Sequence, residues 1–231
     1  HRSIFWRRLL MFGGTTGYFN NQSLRKLVLG FGDLFNNIRV TKPDSTTQYK
    51  VPLTYSPKEK FIRRIQEPST ISEVTRTRIT LPRMGFEIIG LNYDPTRKRN
   101  KLTKTVAPDP EDPSKTEFAY AEVPYLVNFG LYSFCRTIEE NLQIVEQIAS
   151  HFTPEFIITL NMTPVNKKVD IPIILTSIGL AELYEGGFED TRTVTTTFSF
   201  MAKSYIFGPV DSEKAVQEPQ INPDNSFFKD F

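Results

Sequence analysis

Between residues 125 and 154 the spacing of apolar positions changes from strand-like to helical at one residue, Thr137. Tyr125, Leu126, Val127, Phe129, Leu131, Tyr132 and Phe134 fill both alternating faces, the pattern of a strand covered on two sides. From Ile138 the apolar positions become Ile138, Leu142, Val145, Ala149 and Phe152, which form one helical stripe. Thr137 and Glu140 have the T-x-x-E spacing of a capping box, and Pro154 marks the stop. A buried strand feeding an amphipathic helix is therefore predicted. Burying that stripe contributes at most ~10 kcal/mol, at ~2 kcal/mol per large side chain, so Leu142→Asp is expected to unfold the domain.

The same reading extends along the chain. Leu24, Leu27, Val28, Phe31, Leu34, Phe35 and Ile38 share one face of a helix over residues 23–38, which Asn21 or Ser23 could cap. Gly30 and Gly32 inside it each cost about 1 kcal/mol relative to Ala, which predicts close packing of a neighbour. Strands are expected at 36–40 and 49–55, around a turn at Pro43 and Asp44. Ser56, Pro57 and Glu59 signal a short helix that carries Phe61, Ile62 and Ile65 inward. Residues 76–93 read as extended, with Phe86 and Ile88 alternating against Glu87 and Ile89. Residues 96–105 read as a polar loop or exposed hairpin arm, and residues 107–116, with Pro108, Pro110 and Pro113, as an irregular connection. Further strands are expected at 156–162, 169–184 and 193–207. In the last, Val194, Thr196, Phe198, Phe200 and Ala202 oppose Thr195, Thr197, Ser199 and Lys203 as a buried and a wet face.

These elements make one α+β domain over residues 18–209, a mostly antiparallel or mixed sheet flanked by two longer helices and one short helix. Residues 1–17 read as a leader, with Met11 as the expected natural start, and residues 210–231 as an acidic, mobile tail unless Phe227, Phe228 or Phe231 docks on a partner. The 231 residues include 19 Phe and 9 Tyr, ample for a sizeable core. No apolar run approaches the ~20 residues of a membrane helix, and no signal peptide is recognised, so no membrane partner is expected. The single Cys135 lies in an apolar strand and reads as a buried structural thiol in a reducing compartment.

Net charge is +2, but it is unevenly placed. Residues 1–105 hold 20 Lys and Arg against 7 Asp and Glu, whereas residues 106–231 hold 8 against 19. If the halves lie on different sides of the fold, one copy's basic side can meet the next copy's acidic side, a head-to-tail contact that closes into a ring. Arg63, Arg64, Arg76 and Arg78 are the candidates for intersubunit carboxylate pairs. Glu182, Glu185, Glu189 and Asp190 surround Gly186 and Gly187 and read as a solvated or partner-facing acidic hairpin tip, since they lack the alternating ligand order of a calcium loop. Arg97, Lys98, Arg99, Lys101 and Lys104 permit phosphate contact but have only Tyr93 nearby for stacking, so residues 97–104 carry the alternative reading of a nucleic-acid-binding module.

Reaction chemistry finds little purchase. The two histidines are His1 in the leader and His151 at a helix end, where a structural role is expected. No zinc spacing, Ser-His-Asp set, Walker A pattern or G-x-G-x-x-G can be drawn, so neither an enzyme nor a cofactor or metal is expected.

One resemblance gathers these features. Met11-Phe12-Gly13, Gly17-Tyr18-Phe19-Asn20-Asn21, Ser23-Leu24-Arg25 and Gly32-Asp33-Leu34-Phe35-Asn36-Asn37-Ile38 begin a series of short strings. It continues through Val51-Pro52-Leu53-Thr54-Tyr55, Lys58-Glu59, Leu81-Pro82-Arg83 and Gln143-Ile144-Val145-Glu146-Gln147-Ile148. In this order and spacing the chain resembles the tail sheath stabiliser, or tail terminator, proteins of T-even-like contractile-tailed bacteriophages, over residues 11–210. The resemblance implies a structural virion protein at the junction of tail and neck, assembled in the host cytoplasm. It implies a hexameric ring that caps and holds the sheath, partners among sheath, tail tube or tube-terminating, and neck or connector proteins, and genomic DNA passing through the lumen without sequence-specific binding. No catalytic residues come with it.

Overall fold

Two long strands at the centre of the main sheet pair in register from Val123↔Ile206 to Cys135↔Val194, and the remaining elements are arranged around them. The computed structural model describes residues 20–41, 47–66, 80–100, 103–108, 115–161, 168–183, 193–208 and 210–214. Helix α1 (Ser23–Phe35) leads to β1 (Arg39–Thr41), β2 (Gln48–Lys50), β3 (Leu53–Tyr55), α2 (Lys58–Gln66) and β4 (Arg83–Tyr93). There follow β5 (Lys104–Pro108), β6 (Lys115–Tyr120), β7 (Val123–Cys135), α3 (Ile138–Ala149), β8 (Glu155–Asn161), β9 (Lys168–Leu183), β10 (Thr193–Ile206) and β11 (Val210–Lys214). The main sheet has the order β3-β4-β7-β10-β9-β8, parallel at β3–β4 and antiparallel elsewhere. A β1–β2 hairpin and a three-stranded β11-β6-β5 sheet accompany it.

The expected α+β fold with two longer flanking helices is thereby corrected. The described residues are mostly β, and the helices are short, at 13, 9 and 12 residues. The additional strand content comes from segments with no apolar period. The arm β5–β6, expected to be a polar loop or exposed hairpin arm followed by an irregular connection, and β11, expected to be mobile tail, are held by ladders to one another, with Val210 opposite Ala119 and Lys104 opposite Tyr120. Backbone pairing with a remote partner leaves no trace in side-chain periodicity.

The two-sided pattern of β7 has two distinct covers. Val127, Phe129, Leu131 and Cys135 join Leu27, Phe31 and Phe35 of α1 and Ile144 and Ile148 of α3 in the main core. Tyr132 and Phe134 meet Phe61 of α2 on the other face. The predicted role of the helical glycines is met: a Cβ on Gly30 would lie 2.9 Å from Leu160 Cδ2, and one on Gly32 would lie 2.9 Å from Phe86 Cζ. Neither Asn21 nor Ser23 caps α1. Gln22 takes the cap position in the left-handed region at φ 52°, and Asn21 Nδ2 instead donates to the carbonyls of Phe207 and Gly208 at 3.1 and 2.6 Å. The expected wet face of β10 is also covered at its start, since Thr195 is buried.

The stripe on α3 is rotated from its expected position. Thr137 Oγ1 accepts from the Glu140 amide as foreseen, but Leu142 and Ile138 are 49% and 47% exposed. Glu140, Asn141, Ile144 and Ile148 are the buried side chains. The cause is a pair of glutamines. Gln143 Oε1 and Nε2 bond the N–H and C=O of Thr41, and Gln147 Oε1 and Nε2 those of Arg39, so two side-chain amides stand in for a strand along β1. That draws the hairpin against one flank of α3, and Tyr49 of β2 donates to Glu140 Oε1 at 2.8 Å. Beneath it Asn141 accepts from Ser133 at 2.7 Å and donates to Thr196 at 2.5 Å. A buried network so satisfied fixes the helix over β7 and β10.

Ile144→Ala should therefore cost about 2–5 kcal/mol in urea unfolding, whereas Leu142→Asp, contrary to the reading of the stripe, should remain folded with its midpoint nearly unchanged.

Candidate functional site

Where the chain leaves β4, Asp94 caps a 3-10 turn at Pro95–Arg97 and gathers the basic segment. Its Oδ1 accepts from the Thr96 hydroxyl at 2.6 Å and the Thr96 amide at 3.0 Å, and its Oδ2 accepts from Arg97 Nε at 2.6 Å. Arg97 also donates to the Tyr125 carbonyl at 3.3 Å, and its guanidinium lies 4.9 Å from the centre of the Tyr205 ring. Arg99 approaches the same ring at 5.7 Å and pairs with Glu122 at 2.8 Å. Lys104 lies over Tyr120 at 5.4 Å. Cations over aromatic faces gain from the ring quadrupole while keeping part of their hydration. The cluster thus ties the base of the β5–β6 arm to the ends of β7 and β10.

The aromatic interleaving that the local sequence lacks is supplied by Tyr205, more than 100 residues further on, and by Tyr120. Two guanidinium groups counted toward phosphate contact are already committed within the chain. Lys98 between them is exposed. Burial and hydrogen bonding also govern the carboxyl of Asp94: the Thr96 hydroxyl first, then Arg97, lower its pKa to about 2.

The other sequence-derived candidates are not brought together. Arg63 is exposed on α2, on the side of the sheet opposite α1 and α3. Arg64 lies in α2 and Glu182 in β9, opposite Val194, with side chains outside the described residues. Arg76, Arg78, Glu185, Glu189, Asp190, Phe227 and Phe228 fall outside the described residues altogether. His151 sits at the end of α3 with Nδ1 2.7 Å from the Gln147 carbonyl, and Cys135 is buried, its thiol pushed up to about 12 by desolvation. Tyr132 donates to Glu87 at 3.0 Å and is pushed up to about 12, again chiefly by desolvation. A group that sequence reasoning missed is Arg83, whose Nε is buried without a partner among the described residues while an Nη reaches the Thr54 hydroxyl at 3.5 Å near the sheet edge. Its position at the start of a strand carries no signal of this.

Among the described residues no three His, Cys, Asp or Glu side chains could hold a metal ion, and no helix is long and apolar enough to cross a membrane. What the described residues do build is a β frame with cations set on aromatic rings at the base of an arm, a framework for contacts rather than for reaction chemistry. The chain belongs to the T4-like virus Myoviridae tail sheath stabiliser family, which matches residues 18–229. It is similar to the tail completion protein gp15 of Enterobacteria phage T4, 28% identical over 210 residues that cover 87% of this chain and 76% of that protein. It is thus a structural protein of the phage tail, and the family is not one of enzymes.

Because the folded-state pKa of Asp94 is depressed, the stabilisation it supplies is present above the unfolded value near ~4 and is lost as pH falls through about 2. Protection factors at Val106 and Phe118, taken against the intrinsic exchange rate at each pH, should fall across that window while the centre of β7 stays protected, and Asp94→Asn should lower protection of the arm already at neutral pH.

Proposed function

We propose that the chain forms a six-membered ring that terminates the tail, capping and holding the extended sheath and presenting its other face to neck or connector proteins. The tail tube or its terminating protein lies within, and the genome passes through the lumen without sequence-specific contact. Assembly takes place in the host cytoplasm. Supporting this reading is the order of the main sheet: β3 and β4, from the basic first half, form one side, while β10, β9 and β8, from the acidic second half, form the other. The strands themselves carry little charge, Arg83 and Glu87 on β3–β4 against Lys168, Lys203, Glu155, Asp170 and Glu182 on β8–β10, so a heterologous contact that repeats until it closes would draw its charge from the helices and connections of each half. The exposed Arg63 on α2 is a cation available to such a contact, with Arg64 next to it in sequence. Exposed ion pairs contribute only about 0–1 kcal/mol each, so they choose register, and multivalency within the ring supplies the affinity.

Sedimentation velocity of the purified protein should give a hexamer that loosens between about 0.1 and 1 M salt, where screening shortens from ~10 to ~3 Å. Reversing Arg63 and Arg64 to Glu should raise the concentration needed for assembly. A salt-insensitive assembly, or monomers at all concentrations in the presence of sheath protein, would contradict this reading.

A further inference from the structure

Sheet edges with unpaired N–H and C=O groups invite another strand, and natural proteins guard them with lysine, proline or a covering element. Three edges here are guarded. β1 is closed by Gln143 and Gln147, β5 carries Lys104 and Pro108, and β11 carries Asp211, Glu213 and Lys214. Among the described residues, nothing comparable guards the two edges of the main sheet. β3 reads Leu-Thr-Tyr, with Tyr55 53% exposed, and β8 reads Glu-Phe-Ile-Ile-Thr-Leu-Asn, with Ile157 56% exposed and neither lysine nor proline within it.

These two edges are also matched. β3 runs parallel to β4, and four antiparallel pairings then lead from β4 to β8, so β3 and β8 point in the same direction. A rotation about an axis along the strands therefore sets β3 of one copy beside β8 of another without reversal. The faces agree as well. Tyr55 stands on Phe86 at 5.3 Å on the main-core side, the side on which Ile158 and Leu160 meet Gly30 of α1. Thr54 and Thr159 occupy the opposite face, next to charges of opposite sign: Arg83 on the Thr54 hydroxyl at 3.5 Å, and Asp170 accepting from Thr159 at 2.6 Å. An edge pairing with the wrong parity would place threonine against the core, and this one does not.

We propose that the occupant of β8 is β3 of a second copy of this chain, paired parallel with Leu53, Thr54 and Tyr55 beside Ile158, Thr159 and Leu160. The main sheet then continues from protomer to protomer, and Arg83 of one copy faces Asp170 of the next. The pairing covers Tyr55 and brings an anion toward the Arg83 guanidinium, which has no carboxylate partner among the described residues. It rests on the ring reading above and specifies which surfaces make the ring.

The test uses the full chain. A Thr54→Cys, Thr159→Cys double variant treated with a short bifunctional thiol reagent should give a ladder of covalent oligomers ending in a closed ring, whereas either single variant should give none; Cys135 is buried. Asp170→Lys, at an exposed position, should raise the assembly midpoint at least tenfold, and adding Arg83→Asp should bring it back to within about threefold of the wild type. Ile157→Lys should likewise block assembly while leaving thermal melting unchanged. A ring in sedimentation without covalent linkage, or assembly indifferent to both Asp170→Lys and Ile157→Lys, would overturn the edge pairing and leave the ring intact. Monomers at every concentration, with and without sheath protein, would overturn both.

Discussion

Phe31 of α1 stacks on Phe129 of β7 with ring centroids 4.2 Å apart and planes 7° from parallel, and Phe35, Phe86 and Phe200 close around that pair at 5.0–5.5 Å. Each ring buried there contributes about 2 kcal/mol, and offset and tilted aromatic contacts add to the area term. The contact requires α1 to lie very close to the sheet. Only residues without a Cβ at Gly30 and Gly32 leave room for Leu160 and Phe86, and Asn21 then anchors the helix start to the end of β10. Because Leu160 belongs to β8 and Phe86 to β4, one helix spans the sheet from near one edge to near the other and holds it rigid.

Rigidity of this kind suits a structural tail protein, whose task is to hold positions rather than to change them. The polar devices serve the same end. Asn141 is satisfied from both β7 and β10, the two glutamines of α3 close the β1 edge, and Asp94 with Tyr205 holds the arm at its base. Each converts a potentially loose attachment into one with a single geometry. The pair Arg99–Glu122 also joins the basic half to the acidic half inside one protomer, so part of the charge asymmetry is neutralised internally and only the remainder faces outward.

Strand β7, the turn at Thr137, the start of α3, and the extents of β9 and β10 could be read from the chain, because each is decided by neighbours a few residues apart. The two close-packed glycines were legible for a related reason, since a residue that weakens a helix persists where something presses on it. The basic cluster was visible as charge, but its partners were not: Tyr205 and Glu122 reach it only through the pairing of β7 with β10 and the course of the chain between β6 and β7. The open edges could not be foreseen either, since an edge is defined by which strand has no further neighbour.

Local periodicity by itself determined which side chains share a face, where strand gives way to helix, and that the thiol is inside. The tertiary structure alone decided which arc of α3 is covered, that the arm and the segment after β10 form a third sheet, and that β3 and β8 end the main one. The physical reason is range. Periodicity records steric and hydrophobic preferences between residues within a turn or two, whereas cover, pairing and edges depend on backbone groups and side chains that meet across a hundred residues and compete for the same surface, as Gln143 and Gln147 do when they draw the hairpin onto one flank of α3 and leave Leu142 in water.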